Sequence, residues 1–206
     1  MKLKRYKVEV TGIRPMLLRN GRTADPLDPY AQQIKKITQK KSKTDDDYRD
    51  LGELEFMSGL YWSDDIGLYM PADNLQRMFL DGAKKIKRGR DTSAAMIDEE
   101  FGAQIITDGH MDLEKLKANP RFRHRGPARI RGSTTIRVRP MVPTGWKMAF
   151  HILLDETLMN FETMEEILHI CSSRIGMGDW RPGAPKVPGT FGKFIVDSIK
   201  PAKHNA

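Results

Sequence analysis

Regular alternation of apolar and polar residues marks the first strand of the chain. Tyr6, Val8 and Val10 alternate with Lys7 and Glu9, the period of two that is typical of a half-buried β-strand. Apolar runs bounded by turn residues indicate further strands. We expect a hairpin at residues 59–70, with Ser63, Asp64 and Asp65 as its turn, and strands at residues 3–11, 104–107, 134–140, 146–155 and 191–199.

A helix is predicted to begin after Thr44. Thr44 is the expected N-cap, and the next three residues are aspartates, whose charge favours the positive end of the helix dipole. Asp47 stands at the capping-box position. The aspartates are therefore interpreted as a helix start and not as metal ligands. Further helices are expected at residues 30–41, 94–100 and 161–173, and one begins at Pro71 with Leu75, Met78, Phe79 and Ala83 on its apolar face.

The order of these elements predicts the fold class. Insertions aside, the order is strand, helix, strand, strand, helix, strand, the β-α-β-β-α-β order of a ferredoxin-like fold. We therefore predict an α+β protein with one domain over residues 1–206 and long insertions at 12–70 and 88–132. A sheet of this kind commonly leaves one face open, and RNA-recognition modules use that face. The single cysteine, Cys171, is interpreted as a small core residue.

Positive charge is concentrated in one fifth of the chain. The formal net charge is +8, and no acidic residue occurs from Lys115 to Leu154. Because a guanidinium group matches phosphate and also stacks on bases, the arginines of this stretch predict a surface that binds a polyanion. They are Arg121, Arg123, Arg125, Arg129, Arg131, Arg137 and Arg139.

Other interpretations of the charge remain open. The stretch can be a solvated face that keeps the protein soluble, or it can meet an acidic protein or an anionic membrane surface. It looks strand-like, which argues against a basic amphipathic helix on a membrane. A second basic cluster closes the helix that begins at Pro71, where capping explains its first two lysines and contact with phosphate is a further possibility. That cluster comprises Lys84, Lys85, Lys87, Arg88 and Arg90.

Glycines dominate a loop before the last predicted strand. Residues 175–182 (IGMGDWRP) and 189–194 (GTFGKF) resemble the glycine-rich loop of the RAMP superfamily, the RNA-binding proteins of CRISPR effector complexes. Residues 8–17 (VEVTGIRPML) look like a RAMP first strand and its exit. The resemblance implies a single RAMP-like domain of the backbone-subunit type, which binds RNA and assembles with further copies along the strand. The chain also resembles uncharacterised phage-type proteins, which implies no known activity.

The loop can contact a ligand through its backbone. Gly176 and Gly178 permit positive φ and close approach of another backbone. Trp180 can stack on a base and Arg181 can pair with a phosphate, while Tyr61 or Trp62 offers a further stacking surface. The alternative is an ordinary Gly/Pro loop in which Trp180 packs on the sheet.

Histidine is the main candidate for catalysis. His124 lies between Arg123 and Arg125, which should depress its pKa, and a neutral imidazole beside phosphate can act as a general base toward a 2′-hydroxyl. The resemblance allows this, because some RAMP proteins are metal-independent ribonucleases. His151 and His169 lie in apolar patterns and are interpreted as structural. Asp108, His110 and Asp112 are interpreted as turn and capping residues, because no histidine has zinc-ligand spacing.

We therefore predict a non-catalytic protein that binds single-stranded nucleic acid, RNA in preference to DNA, and that forms a homo-oligomer or filament along it. The first alternative is a metal-independent endoribonuclease using His124. The second is a component of a phage or effector complex that binds an acidic partner. No cofactor, metal or membrane partner is expected, and the absence of long apolar runs predicts a cytoplasmic protein of a bacterial or phage-infected cell.

Overall fold

A computed structural model describes residues 2–107, 112–130 and 133–203 of the chain, and these residues form an α+β fold built on antiparallel strands. One sheet has seven strands, in the order β10-β1-β9-β6-β4-β3 with β5 also paired to β9. A second sheet has the order β2-β8-β7. The strands are β1 (Leu3–Gly12), β2 (Met16–Leu17), β3 (Trp62–Ser63), β4 (Gly67–Pro71), β5 (Ala95–Ile97), β6 (Gly102–Ile106), β7 (Arg123–Ile130), β8 (Ser133–Val142), β9 (Lys147–Asp155) and β10 (Phe194–Ala202).

Within the described residues, five α-helices accompany the two sheets. Their N-caps are mostly short polar side chains that accept hydrogen bonds from the first turn. At α2 the predicted capping box is present, because the Thr44 and Asp47 side chains each accept a backbone N–H of the other. The helices are α1 (Pro29–Thr38), α2 (Asp45–Gly59), α3 (Ala72–Lys85), α4 (Leu113–Ala118) and α5 (Phe161–Ile170).

The core lies between one face of the large sheet and helices α3 and α5. Every second residue of β1 and β9 is buried, as the alternation along β1 predicts. On α3 the predicted apolar face is buried in full. Gly82 of α3 allows α5 to approach closely, because a Cβ there would lie 2.4 Å from Cys171 Sγ. Cys171 is fully buried and its thiol donates to Met78 O over 3.3 Å, which confirms it as a core residue.

The small sheet is covered on one side by α2. Gly52 and Gly59 of the helix face Val138 and Pro140 of β8, and Phe56 is buried between the layers. Strands β8 and β9 follow each other in the chain but belong to different sheets. The ribbon formed by β7 and β8 therefore belongs to the small sheet, and it carries most of the arginine-rich stretch.

Three local predictions differ from the structure. Residues 94–100 were expected to form a helix, but they contain β5, which pairs with the apolar strand β9. Pro71 ends β4 and stands at the N-cap of α3 instead of in its first turn, and both positions tolerate a residue that has no backbone N–H. Strand β7 was not predicted, because arginines interrupt the apolar alternation that marks a strand.

Candidate functional site

Three arginines of the β7–β8 ribbon are engaged by carboxylates from elsewhere in the chain. Both guanidinium Nη atoms of Arg123 donate to Glu53, over 2.6 and 2.7 Å, and its Cζ lies 4.2 Å from the centre of the Phe56 ring. Arg137 pairs with buried Glu55 of the same helix, α2. These two arginines of the predicted polyanion-binding surface are therefore not free, because α2 supplies the acidic residues that the ribbon itself lacks.

Arg139 is held by the glycine loop. Its Nε lies 3.2 Å from Asp179 Oδ2, and its Nη1 is buried without a hydrogen-bond partner among the described residues. Arg121 and Arg125 are exposed, and no carboxylate of the described residues lies within ion-pair distance of either. The side chain of Arg129 and the whole of Arg131 lie outside the described residues. Of Arg121 and Arg125, only Arg125 belongs to the ribbon, since Arg121 precedes β7.

His124 belongs to an aromatic cluster. Its ring meets Phe191 and Trp180 edge-on, with centroids 5.4 and 6.5 Å apart. Its Nδ1 is buried and has no hydrogen-bond partner among the described residues. Burial and, after it, Arg139 lower the pKa of His124. The predicted direction is thus confirmed, but the cause is burial and a cross-strand arginine instead of the two flanking ones.

Trp180 is part of the same cluster. It stacks on Phe191 with ring centroids 5.6 Å apart, and its backbone has φ +49°, a left-handed conformation that is unusual outside glycine. Phe191 thus occupies one face of the Trp180 ring, and a Cβ at Gly189 would lie 2.4 Å from its Cδ1. The structural interpretation of Trp180 as a packing residue fits this geometry better than a base-stacking role.

The glycine loop is attached to the exit of β1. Asp179 N donates to Leu17 O of β2 over 2.7 Å, and Gly192 N donates to Pro15 O over 2.7 Å. Gly176 and Gly178 have φ +71° and +77°, and a Cβ at Gly178 would lie 2.2 Å from Leu17 O. The two segments that resemble RAMP motifs, far apart in the chain, are therefore in direct contact.

A cleft of about 180 Å³ opens beside this contact. Its walls are the exit of β2, the residues before β3, the first half of α3 and the glycine loop. The sequence did not indicate Arg19, which follows β2, or Arg77 of α3, because they are isolated in the chain and only the fold brings them together. The polar side chains that line it are Arg19, Tyr61, Asn74, Arg77, Asp179 and Arg181.

The cleft keeps a positive balance. Asp81 of α3 is shared by several cations, with Arg77 Nε at 3.1 Å and Arg181 Nη2 at 3.4 Å from its carboxylate. Arg181 also donates to Gly178 O, which fixes its guanidinium at the loop. Arg19 is exposed, and no carboxylate of the described residues lies within 4.0 Å of its guanidinium. An anion that enters the cleft meets three arginines.

Tyr61 supplies an aromatic wall with a polar edge. Its hydroxyl donates to Arg19 O over 2.8 Å and accepts from Asn74 Nδ2 at 3.1 Å. Burial raises the pKa of Tyr61. Its ring centroid lies 6.1 Å from that of Tyr69 on β4. The cleft therefore combines cations with a ring held in a fixed position.

The open face of the large sheet is less suited to base stacking than the cleft is. Outward side chains of its central strands form internal pairs, with Arg5 bonded to Asp98 and the His151 ring to Glu99, and none of the outward side chains of β1 and β9 is Phe, Tyr or Trp. RNA-recognition modules stack bases on aromatic residues at such positions. The pairing of His151 also fits its predicted structural role.

The described residues show no group of three or more histidine, cysteine or acidic side chains that could hold a metal ion. Asp108 and His110, two members of the motif interpreted as a turn, lie outside the described residues. Within the described part of the chain, no helix is long and apolar enough to cross a membrane. Compared with known proteins, the chain matches no protein-family model and no curated protein.

Proposed function

We propose that this protein binds single-stranded nucleic acid, RNA in preference to DNA, in the cleft beside the glycine loop, and that it does not cut the strand. The observation that carries the proposal is the convergence of Arg19, Arg77 and Arg181 around one opening with the Tyr61 ring at its edge. Arginine binds phosphate through two parallel hydrogen bonds, and an aromatic ring provides a stacking surface for any base.

The dimensions of the cleft favour a single strand. About 180 Å³ accommodates one sugar–phosphate unit, whereas a duplex would have to be bound on an outer surface. The contacts available are guanidinium groups, a hydroxyl and backbone, which position phosphate and sugar without reading sequence. The expected binding is therefore weakly sequence-dependent and strongly salt-dependent.

We also propose that the core is ferredoxin-like and related to the RAMP superfamily. The strand order β10-β1-β9-β6, with α3 and α5 on one face, corresponds to the fourth-first-third-second order of a β-α-β-β-α-β sheet. Residues 12–70 then hold the first insertion, and the second lies between β6 and β9 and contains the β7–β8 ribbon, instead of occupying residues 88–132. The contact between the exit of β1 and the glycine loop supports the relationship, because both segments carry the resemblance. Assembly of copies along the strand is part of this proposal.

Cleavage is not part of the proposal. His124 does not line the cleft proposed for the strand, and its Nδ1 is buried beside Trp180 and Phe191. A general base must lie within hydrogen-bond reach of the proton that it removes.

Fluorescence anisotropy with labelled oligouridylate and oligodeoxythymidylate of about 12 nucleotides tests the binding. We expect the RNA probe to bind more tightly, and the Arg19→Gln/Arg77→Gln variant to weaken binding by on the order of a hundredfold at low salt. An Arg22→Gln variant is the control, because that guanidinium is also near the surface but pairs with Asp28 away from the cleft. If neither probe binds at about 50 mM salt, the proposal is wrong.

A further inference from the structure

Five cations cluster where α3 ends. Within the described residues, the carboxylates that pair with any of them are Asp81, 3.8 Å from Lys84 Nζ, and Asp91, 3.0 Å from Arg88 Nη1. Asp81 is already shared with arginines of the cleft, so the cluster carries an excess of positive charge. We name it the α3 basic end; its members are Lys84, Lys85, Lys87, Arg88 and Arg90.

The α3 basic end is continuous with the cleft. Asn74, Arg77, Asp81 and Lys84 follow each other at spacings of three or four residues, which places them on one stripe of α3. Lys84 lies seven residues after Arg77, which corresponds to about 10 Å along a helix. That distance spans about three stacked nucleotides of a single strand. A strand that leaves the cleft along α3 therefore reaches the basic end within a few phosphates.

Local packing directs the first lysine of the cluster toward the loop beyond the helix. A Cβ at Gly89 would lie 2.9 Å from Lys84 Cγ, so the aliphatic part of this lysine passes across the glycine. Arg88 and Arg90 flank that glycine in the chain. Their charges are thereby gathered at one end of the stripe. Helix capping accounts for Lys84 and Lys85 but not for the basic residues that follow them.

We propose that the α3 basic end is a second phosphodiester-binding site, which holds the strand on its way out of the cleft. This inference rests on the proposed function of the cleft. Lysine acts here as a point charge, so the site adds affinity and fixes the path of the strand without selecting its sequence.

A matched pair of lysines elsewhere allows a direct test. Lys84 and Lys85 end α3, and Lys35 and Lys36 lie in the last turn of α1, which packs on α2. All four are exposed, so replacing them by glutamine should leave the fold intact. Binding of labelled oligouridylate of about 12 nucleotides is measured between about 50 and 200 mM salt for both double variants.

For Lys84→Gln/Lys85→Gln we expect binding on the order of tenfold weaker at low salt and a salt slope reduced by about 1.4, because each phosphate contact on a single strand contributes about 0.7. For Lys35→Gln/Lys36→Gln we expect no such change. Equal effects of the two variants, or no effect of the first, would overturn the second site and leave the cleft standing. Competition by polyglutamate as strong as by RNA would also overturn it, in favour of an acidic protein partner. Absence of binding by the unmodified protein would instead reject the proposed function of the cleft.

Discussion

The β7–β8 ribbon and the cleft beside the glycine loop are both rich in arginine, yet they use it differently. On the ribbon, Arg123 and Arg137 are matched one to one with Glu53 and Glu55 of α2. At the cleft, several cations share one carboxylate, and Arg19 has no carboxylate within ion-pair distance among the described residues. The ribbon arginines attach the small sheet to α2, whereas the cleft retains charge for a ligand.

The difference arises because a stretch that lacks acidic residues in the sequence can still be paired with acidic residues in the folded protein. The arginine-rich stretch has no acidic residue within it, but the fold brings in Glu53 and Glu55 from 70 and 82 residues away. A paired, partly buried arginine is part of the packing, because a charge that stays buried without its partner is costly. Measurements of stability and binding can distinguish the arginines that attach the ribbon to α2 from those that face the cleft.

The largest expected effect is a loss of stability on substitution of Gly178, which lies in the wall of the cleft. Gly178→Ala would place a Cβ 2.2 Å from Leu17 O in a residue with φ +77°. The clash is with backbone, so we expect unfolding to become easier by about 3 kcal/mol or more, measured by urea denaturation. Gly145→Ala is the control, because φ there is +93° but no atom lies within 4 Å of the new Cβ. A loss of about 1 kcal/mol is expected for the control, from backbone strain alone.

The second prediction concerns the attachment of the ribbon to α2. Glu55 is buried and accepts hydrogen bonds from Arg137 and from Val138 N, so Glu55→Ala leaves a partly buried guanidinium and a backbone donor unpaired. We expect a loss of about 2–3 kcal/mol in the free energy of unfolding. Glu53→Ala removes an exposed partner of Arg123 and should cost under about 1 kcal/mol. Similar losses for the two variants would contradict the structural role assigned to Glu55.

Much of the core could be predicted from the sequence, because its signals are local. The capping box at Thr44, the alternation along β1 and the apolar face of α3 each lie within one element, and all are present in the structure. Residues 94–100 were misassigned because a three-residue strand has too few positions to show a period. In that segment, pairing with β9 decides the conformation instead of local preference.

The candidate site was harder to predict, because its cations come from separate elements. Arg19 follows β2, Arg77 lies on α3 and Arg181 belongs to the glycine loop. The first two carry no motif that distinguishes them from other exposed arginines. Gly176 and Gly178 did carry a signal, since glycine repeats mark positions of positive φ, and the structure has both in that conformation.

Binding measurements test directly whether the ligand contacts the cleft or the ribbon. We expect Arg77→Gln to weaken binding of labelled oligouridylate on the order of fivefold at low salt, with a salt slope reduced by about 0.7, because one phosphate contact is lost. Arg137→Gln removes the same charge from the ribbon, where it is paired with Glu55. It should lower the stability and leave the affinity of the folded protein unchanged. If Arg137→Gln weakens binding more than Arg77→Gln, the ligand lies on the ribbon and the cleft has been assigned the wrong role.

The smallest expected effect is a pH dependence at the boundary between the two regions. His124 faces Arg139 of β8, whose guanidinium pairs with Asp179 of the glycine loop, and burial followed by Arg139 lowers the pKa of this histidine. The fold therefore favours the neutral ring. Its contribution to stability is complete above the ordinary pKa of about 6.5 and is lost as the pH falls through the lowered value, because the unfolded chain takes up the proton first.

We expect the urea midpoint of the protein to fall between about pH 7 and pH 5, and His124→Gln to flatten that fall. The carboxylates with lowered pKa, such as Asp47 and Glu156, titrate below this window and do not obscure it. An unchanged fall in the variant would mean that another group couples the ribbon to the glycine loop. If the fall is flattened, protonation of the His124 ring weakens the contact between the β7–β8 ribbon and the glycine loop.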